Sequence, residues 1–434
     1  MRMNYRFKAW LCSKRWTSII MFACVPYIYI SAQGIEAMRQ AVEAEGAKFS
    51  DNNSVVFFSS GKDKFKDLFQ AVREAKETIH MEYFNFRDDS IANTLFDSLA
   101  VKVREGVKVR LLYDAFGNSS NDQPIRSKRL KEIRATGIEI YEFDPIKFPW
   151  VNHIIPRDHR KIVVIDGKSA YSGGMNVADY YIVGKPEFGG WHDLHYRIEG
   201  DAVGEYQKIF LRAWKWTTGE DISGSELYPG LSLPENKLPN LATDDTPTAG
   251  HKEIAIINRE PRTTPKIIRR TFLHCIDNAQ HRIMLINPYF TLNHTIVKAI
   301  KRAIARGVDV QIMVSDKSDI PITPNIVDYQ AHRLMKAGAK VYYYTGGFHH
   351  SKIMMIDGEW SYAGSANLDN RSLRCDYEVN ALILDPYSTA QLEAIFTRDR
   401  DNHCFLLTPE RWKAMPRSRH RAAWFWHFLL THWV

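Results

Sequence analysis

Cysteine is scarce: five in 434 residues, without metal-ligand spacing and without an even set, so neither a zinc cluster nor a disulfide framework organises this chain. Cys12 and Cys24 fall in the amino-terminal segment, while Cys275, Cys375 and Cys404 lie far apart and are expected to be free thiols. Long apolar runs are lacking too. The amino-terminal run SIIMFACVPYIYISA has about fifteen residues and contains Pro26, which falls short of the roughly 20 that a spanning helix needs. Preceded by Arg2, Arg6, Lys8, Lys14 and Arg15, residues 1–32 read as an export signal cleaved near Ala32 or a retained short anchor. Either reading puts the body on the exported side of an inner membrane.

A broad basic face is the third absence. The chain carries a net +8, but residues 1–16 and 411–434 hold five basic residues each and no acid, which leaves the body between them at −2. A nucleic-acid enzyme would want its positive charge along the working face, so that class is disfavoured. The last segment, 411–434, instead sets its arginines beside Trp412, Trp424, Trp426 and Trp433. That composition suits docking at the headgroup level of an anionic bilayer, and the alternative is a terminal helix that packs its rings into the body.

What is present is a repeat. His159-Arg160-Lys161-Ile162-Val163-Val164-Ile165-Asp166 recurs as His350-Ser351-Lys352-Ile353-Met354-Met355-Ile356-Asp357, and Asn176 and Asn367 each follow seventeen residues after the histidine. Side chains alternate along a strand, so histidine and lysine project to one side while the apolar run reads as a strand buried on both faces. Asp166-Gly167 and Asp357-Gly358 then signal a tight hairpin whose returning strand brings the asparagine back. Each half thus offers an imidazole, an ammonium and an amide, a set that grips a phosphate and stabilises charge building on its oxygens. Zinc or magnesium would want carboxylates, thiolates or imidazoles free of a neighbouring ammonium, so no metal is expected. Two histidines in different environments supply a nucleophile and an acid for displacement through a phosphohistidine. Asp166 and Asp357 are counted with the catalytic motif, yet each opens an Asp-Gly turn where a carboxylate can bond backbone amides. Their loss is therefore expected to cost fold before chemistry.

The paired H-x-K-x4-D with GGMN and GSAN resembles the phospholipase D superfamily. HSKIMMIDGEWSYAGSANLDNRS, with HRKIVVIDGKSAYSGGMNVADYY and WHDLHYRIEG, is similar to bacterial cardiolipin synthases in particular, over about residues 55–410. The resemblance implies a reaction without metal or cofactor, with His159 as nucleophile, His350 as general acid, and Asp193 and Glu378 as carboxylates that fix each ring's tautomer. It implies transfer of a phosphatidyl group to phosphatidylglycerol, giving cardiolipin and a released alcohol. The alternatives are a phospholipase D giving phosphatidic acid, a nuclease, and a non-catalytic membrane scaffold. Expected partners are phospholipid substrates and an anionic membrane surface, without nucleic acid, and the chain is expected to act as a monomer. Many cardiolipin synthases have two spanning helices at the amino end, where this chain has at most one.

Helical and strand periods alternate through both halves in the same order. In the first, 68–75, 91–105 and RLKEIRATG read as helices among the strands TIHMEYF, 107–113 and IEIYEF. In the second, 267–278, 296–305 and AHRLMKAG alternate with RIMLINPYF, VDVQIMV and AKVYYY. The predicted fold is α/β: two phospholipase D-like lobes, 49–221 and 251–410, each a mostly parallel mixed sheet flanked by helices, related by a pseudo-twofold axis. Residues 222–250, rich in Pro, Gly, Ser and Asn, read as a linker.

Overall fold

The computed structural model describes residues 33–149, 155–229 and 241–430, so the expected leader over 1–32 and the centre of the linker lie outside the described residues. The first half contributes β1 (Phe49–Phe58), β2 (Thr78–Tyr83), β3 (Lys108–Asp114), β4 (Glu139–Phe143), β5 (Ile162–Ile165), β6 (Ser169–Gly173), β7 (Trp191–His192) and β8 (His195–Glu199). The second repeats the order with β9 (Lys252–Arg259), β10 (Arg282–Ile286), β11 (Asp309–Ser315), β12 (Lys340–Tyr344), β13 (Phe348–His349), β14 (Ile353–Ile356), β15 (Trp360–Gly364) and β16 (Glu378–Leu384), then adds β17 (Cys404–Leu406).

The two halves form one sheet. Its order is β4-β3-β2-β5-β6-β8-β1 followed by β9-β16-β15-β14-β10-β11-β12, the same succession reversed, with β17 on the outer edge. The pseudo-twofold therefore passes between β1 and β9, which pair antiparallel. Parallel pairing is narrower than the helix–strand alternation suggests. In this sheet it is confined to β2-β3-β4 and β10-β11-β12. The remaining neighbours are antiparallel, and for β5-β6 and β14-β15 the reason is that the cassettes return through Asp-Gly turns, since so short a connection can link only antiparallel strands.

The turn chemistry is visible in the backbone. Asp166 and Gly167 have φ of 51° and 63°, Asp357 and Gly358 of 56° and 75°, the paired positive values of a type I′ turn. The helix Ser90–Arg104 starts on Asp89, whose carboxylate accepts from Ala92 N, and stops ahead of Gly106 at φ 93°. Its counterpart His294–Ala305 starts on Asn293 and stops ahead of Gly307 at φ 91°. Each half buries its own core on one face of the sheet. On the other face a shared core runs from Val55, Ile162 and Tyr196 to Ile254, Ile353 and Phe396, beneath the helices Ala202–Thr218 and Pro386–His403. That shared core fixes the two cassettes relative to each other.

The described linker residues are not a free strap. Ala242 N donates to Asp67, Val55 N donates to Asp244, and Leu227 O crowds Gly167 so closely that a side chain there would collide. The carboxyl-terminal segment forms the helices Pro409–Ala414 and Arg417–Leu430. The second packs on Thr323–Met335: Arg419 Nε meets the buried Asp328 at 2.5 Å, and His427 stacks on Tyr329 with ring centroids 3.8 Å apart. Trp424 and Phe428 nevertheless face outward, so the segment both packs and presents rings.

Candidate active site

His159 and His350 sit just before β5 and β14, at the strand ends opposite the Asp-Gly turns. Both stretches are pinned by the other half. His159 N donates to Tyr377 O at 3.0 Å, His350 N donates to His192 O at 2.6 Å, and β7 pairs with β13. As the alternation requires, Arg160 points away from its neighbours and meets the buried Glu82 at 2.6 Å.

The carboxylates cross between halves as well. Nδ1 of His159 lies 3.0 Å from Glu378 Oε1, and Nδ1 of His350 lies 2.7 Å from Asp193 Oδ2. Asp193 and Glu378 are equivalent despite their unequal spacing in the chain. Gly173 pairs with His195 and Gly364 with Asn380, which puts each carboxylate two residues before the same sheet position. Gly174 makes room for Asp193, since a Cβ there would stand 2.1 Å from its Oδ1. At the matching position of the second half is Ser365, whose hydroxyl donates to Glu378 Oε2 at 2.5 Å.

Lys161 and Lys352 are buried, and each donates back to the carbonyl of its own histidine, two residues away. Lys352 Nζ also lies 3.0 Å from His350 Nδ1. Asn176 and Asn367 are buried, and the Oδ1 of each has no hydrogen-bond partner among the described residues. Asp166 and Asp357 stand apart from this group. Asp166 accepts from the amides of Lys76, Glu77 and Thr78, and Asp357 from those of Gln280, His281 and Arg282, all at 2.7–2.9 Å. These amides lie at the starts of β2 and β10, far along the chain from the turns themselves. The geometry thus ties both aspartates to the backbone at the far end of the hairpin and away from the rings.

His159 and His350 line one cleft of about 410 Å³, together with Phe84, Asn176, Trp191 and Tyr289. Asn367, Lys161 and Lys352 are not among its lining residues. Phe84 meets the His159 ring edge-on at 5.2 Å between centroids, and Tyr289 meets His350 in the same way at 5.7 Å. Neither aromatic stood out in the sequence, although both follow the second strands of their halves, β2 and β10. Lys185, Arg87, Asp122 and Asp319 add charge at the same cleft.

Electrostatics separates the two rings. Burial, helped by the charges of Lys161, Lys352 and His350, holds His159 well below the ordinary imidazole range. Burial and Lys352 also lower His350, but the Asp193 carboxylate opposes that shift. Burial pushes Glu378 up to about 7 against the pull of Lys161, and it lowers Lys161 to about 7 and Lys352 to about 8.

The family profile described as cardiolipin synthase, PLD-like domain, matches residues 68–214 and 272–400, one stretch in each half. The chain is 36% identical over 355 residues to a cardiolipin synthase of Halalkalibacterium halodurans, covering 82% of this chain and 67% of that one. It is 34% identical to the major cardiolipin synthase of Bacillus subtilis, covering 81% and 70% respectively. Among solved structures, phosphatidylserine synthase of Haemophilus influenzae superposes with a TM-score of 0.69 over 92% of this chain and all of that one. At 15% identity, that is a likeness of fold. With a profile match in each half and this identity over most of its length, the chain belongs to the cardiolipin synthase family of phospholipase D-like proteins.

Proposed function

We propose that this phospholipase D-type phosphatidyltransferase carries a phosphatidyl group from one phosphatidylglycerol to another by way of His159. The carrying observation is that both rings line one cleft while their Nδ1 atoms are engaged by carboxylates, which leaves Nε2 of each for the reaction. His159, the more strongly depressed ring, is neutral and attacks phosphorus. His350, whose imidazolium form the Asp193 carboxylate stabilises against burial, gives its proton to the departing glycerol oxygen. The phosphorus–nitrogen bond is then broken by the hydroxyl of a second phosphatidylglycerol, whose proton returns to His350. Two phosphatidylglycerols thus yield one cardiolipin and one glycerol. Lys161 and Lys352, with Asn176 and Asn367, bind the phosphate oxygens, and the aromatic wall keeps water from the intermediate.

Incubating purified protein with vesicles of labelled phosphatidylglycerol and separating the products tests this. Cardiolipin with an equal amount of glycerol is expected, while phosphatidic acid alone would establish the hydrolytic reading. Substrates of this kind require contact with a membrane. Among the described residues no helix is long and apolar enough to cross one, so attachment rests on the basic, aromatic carboxyl-terminal segment and on residues 1–32. We assign the body to the exported side from the basic residues ahead of that amino-terminal run, a topology testable by protease protection in spheroplasts. One chain supplies both cassettes, so a monomer completes the site, and sedimentation of the active protein checks this.

A further inference from the structure

A second groove, of about 860 Å³, shares no residue with the catalytic cleft and lies beside the packed helices Thr323–Met335 and Arg417–Leu430, with Ile267–Asn278 and Asn370–Arg374 also contributing to its walls. Arg269, Arg333 and Arg374 line it, and no aspartate or glutamate does. Among the described residues none of the three makes an ion pair or a side-chain hydrogen bond. Arg269 is held below its ordinary value by burial and by the charges of Arg374 and Arg270, so the groove has uncompensated positive charge. A guanidinium cluster without acids recognises phosphate oxygens, which accept its planar fork of donors.

The groove's outer wall says where that phosphate comes from. Trp424 and Phe428 line it and stack on each other at 5.8 Å, and with Phe425 and Leu429 they form one stripe, each at least half exposed. The helix is inverted relative to a surface helix in water. Its packed face carries Arg419, Ala423 and His427, and its open face carries the rings. Exposed rings beside arginines suit the boundary between headgroups and acyl chains. We propose that this groove binds the phosphate of an anionic phospholipid that is not being turned over, with Trp424 and Phe428 seated against its acyl chains. The site rests on the membrane association proposed above and is independent of which reaction the cleft performs.

The test uses the full chain in neutral-detergent micelles doped with phosphatidylglycerol or phosphatidylcholine carrying brominated acyl chains, which quench tryptophan on contact. The signal from the groove is the quenching lost in a Trp424→Phe variant. Phosphatidylglycerol is expected to quench Trp424 at a several-fold lower lipid fraction than phosphatidylcholine, and an R333Q/R374Q variant should lose that preference while keeping its cardiolipin or phosphatidic acid output per bound substrate. If the double variant melts early, Arg374→Gln alone, at an exposed position, serves the same readout. Equal quenching by the two lipids, or a preference that survives in the variants, overturns the proposal. So does displacement of phosphatidylglycerol by inorganic phosphate as effective as that by unlabelled lipid, which would make it a free-phosphate site. Quenching needs no turnover, so it reports on the groove even where the cleft is inactive.

Discussion

Asp193 of the first half reaches His350 of the second at 2.7 Å, and Glu378 of the second returns the contact to His159 at 3.0 Å, so neither half holds its own reactive ring. Asp193→Asn and Glu378→Gln keep the shape but lose the acceptor that selects the Nδ1–H tautomer. Turnover is expected to drop by roughly two to four orders of magnitude, with KM changed far less. Steady-state kinetics with unchanged melting curves checks this, and a fall confined to KM would place these carboxylates in binding instead.

Removing the rings one at a time should separate their roles. With phosphatidylglycerol labelled in its phosphate, His350→Ala should form the acid-labile phosphohistidine slowly and fail to discharge it, whereas His159→Ala should form none. Trapping labelled protein by denaturation in alkaline detergent, where the phosphorus–nitrogen bond survives, distinguishes them, and the opposite pattern reverses the assignment of nucleophile and acid.

The lysines set a pH limit. Their positive forms bind phosphate, and burial has lowered Lys161 to about 7 and Lys352 to about 8, so both lose charge as pH rises through that window. The value of kcat/KM should therefore fall on the alkaline side from about pH 7 upward. The profile of kcat should be flatter, because a bound phosphodiester restores the ammonium form. A kcat/KM that climbs through this range would count against lysine as the phosphate ligand.

Asp166→Ala leaves the amides of Lys76, Glu77 and Thr78 without their acceptor. At about 1 kcal/mol or more for each donor, the loss should reach roughly 3 kcal/mol. Urea unfolding measures it, and a variant of native stability lacking activity would return Asp166 to the chemistry.

Arg419→Ala strips the buried Asp328 of its counter-charge, leaving it the hydroxyl of Tyr343. A loss of about 2 kcal/mol is expected from a charged hydrogen bond of this kind. Phe428→Ser, on the exposed face, should leave the melting temperature unchanged. Calorimetry of the two variants checks that the helix Arg417–Leu430 has one structural face and one free face.

Much of this architecture is legible in the sequence because it depends on local periods. Helix 267–278 falls at its predicted bounds, and the Asp-Gly pairs turn as their φ preferences demand. The joining strands β1 and β9 and the helices Ala202–Thr218 and Pro386–His403 escape such a reading, since their places are set by what they pair with and cover. Periodicity overstates parallel pairing for the same reason, because strand direction depends on the connection. Phe84 and Tyr289 carry no motif, and only proximity to the rings marks them.

The sequence by itself determined that one chain carries two copies of a histidine, a lysine and an asparagine, in strands that must place imidazole and ammonium on the same side. Side-chain alternation and turn preferences act over a few residues, and a repeat announces itself at any distance. Only the tertiary structure decided that the two histidines share one cleft, that each ring takes its carboxylate from the opposite half, and that the motif aspartates brace the amides of the distant strands β2 and β10. Those pairings join residues more than 70 positions apart, brought together by the β1–β9 junction and a core common to both halves, and no local preference encodes them.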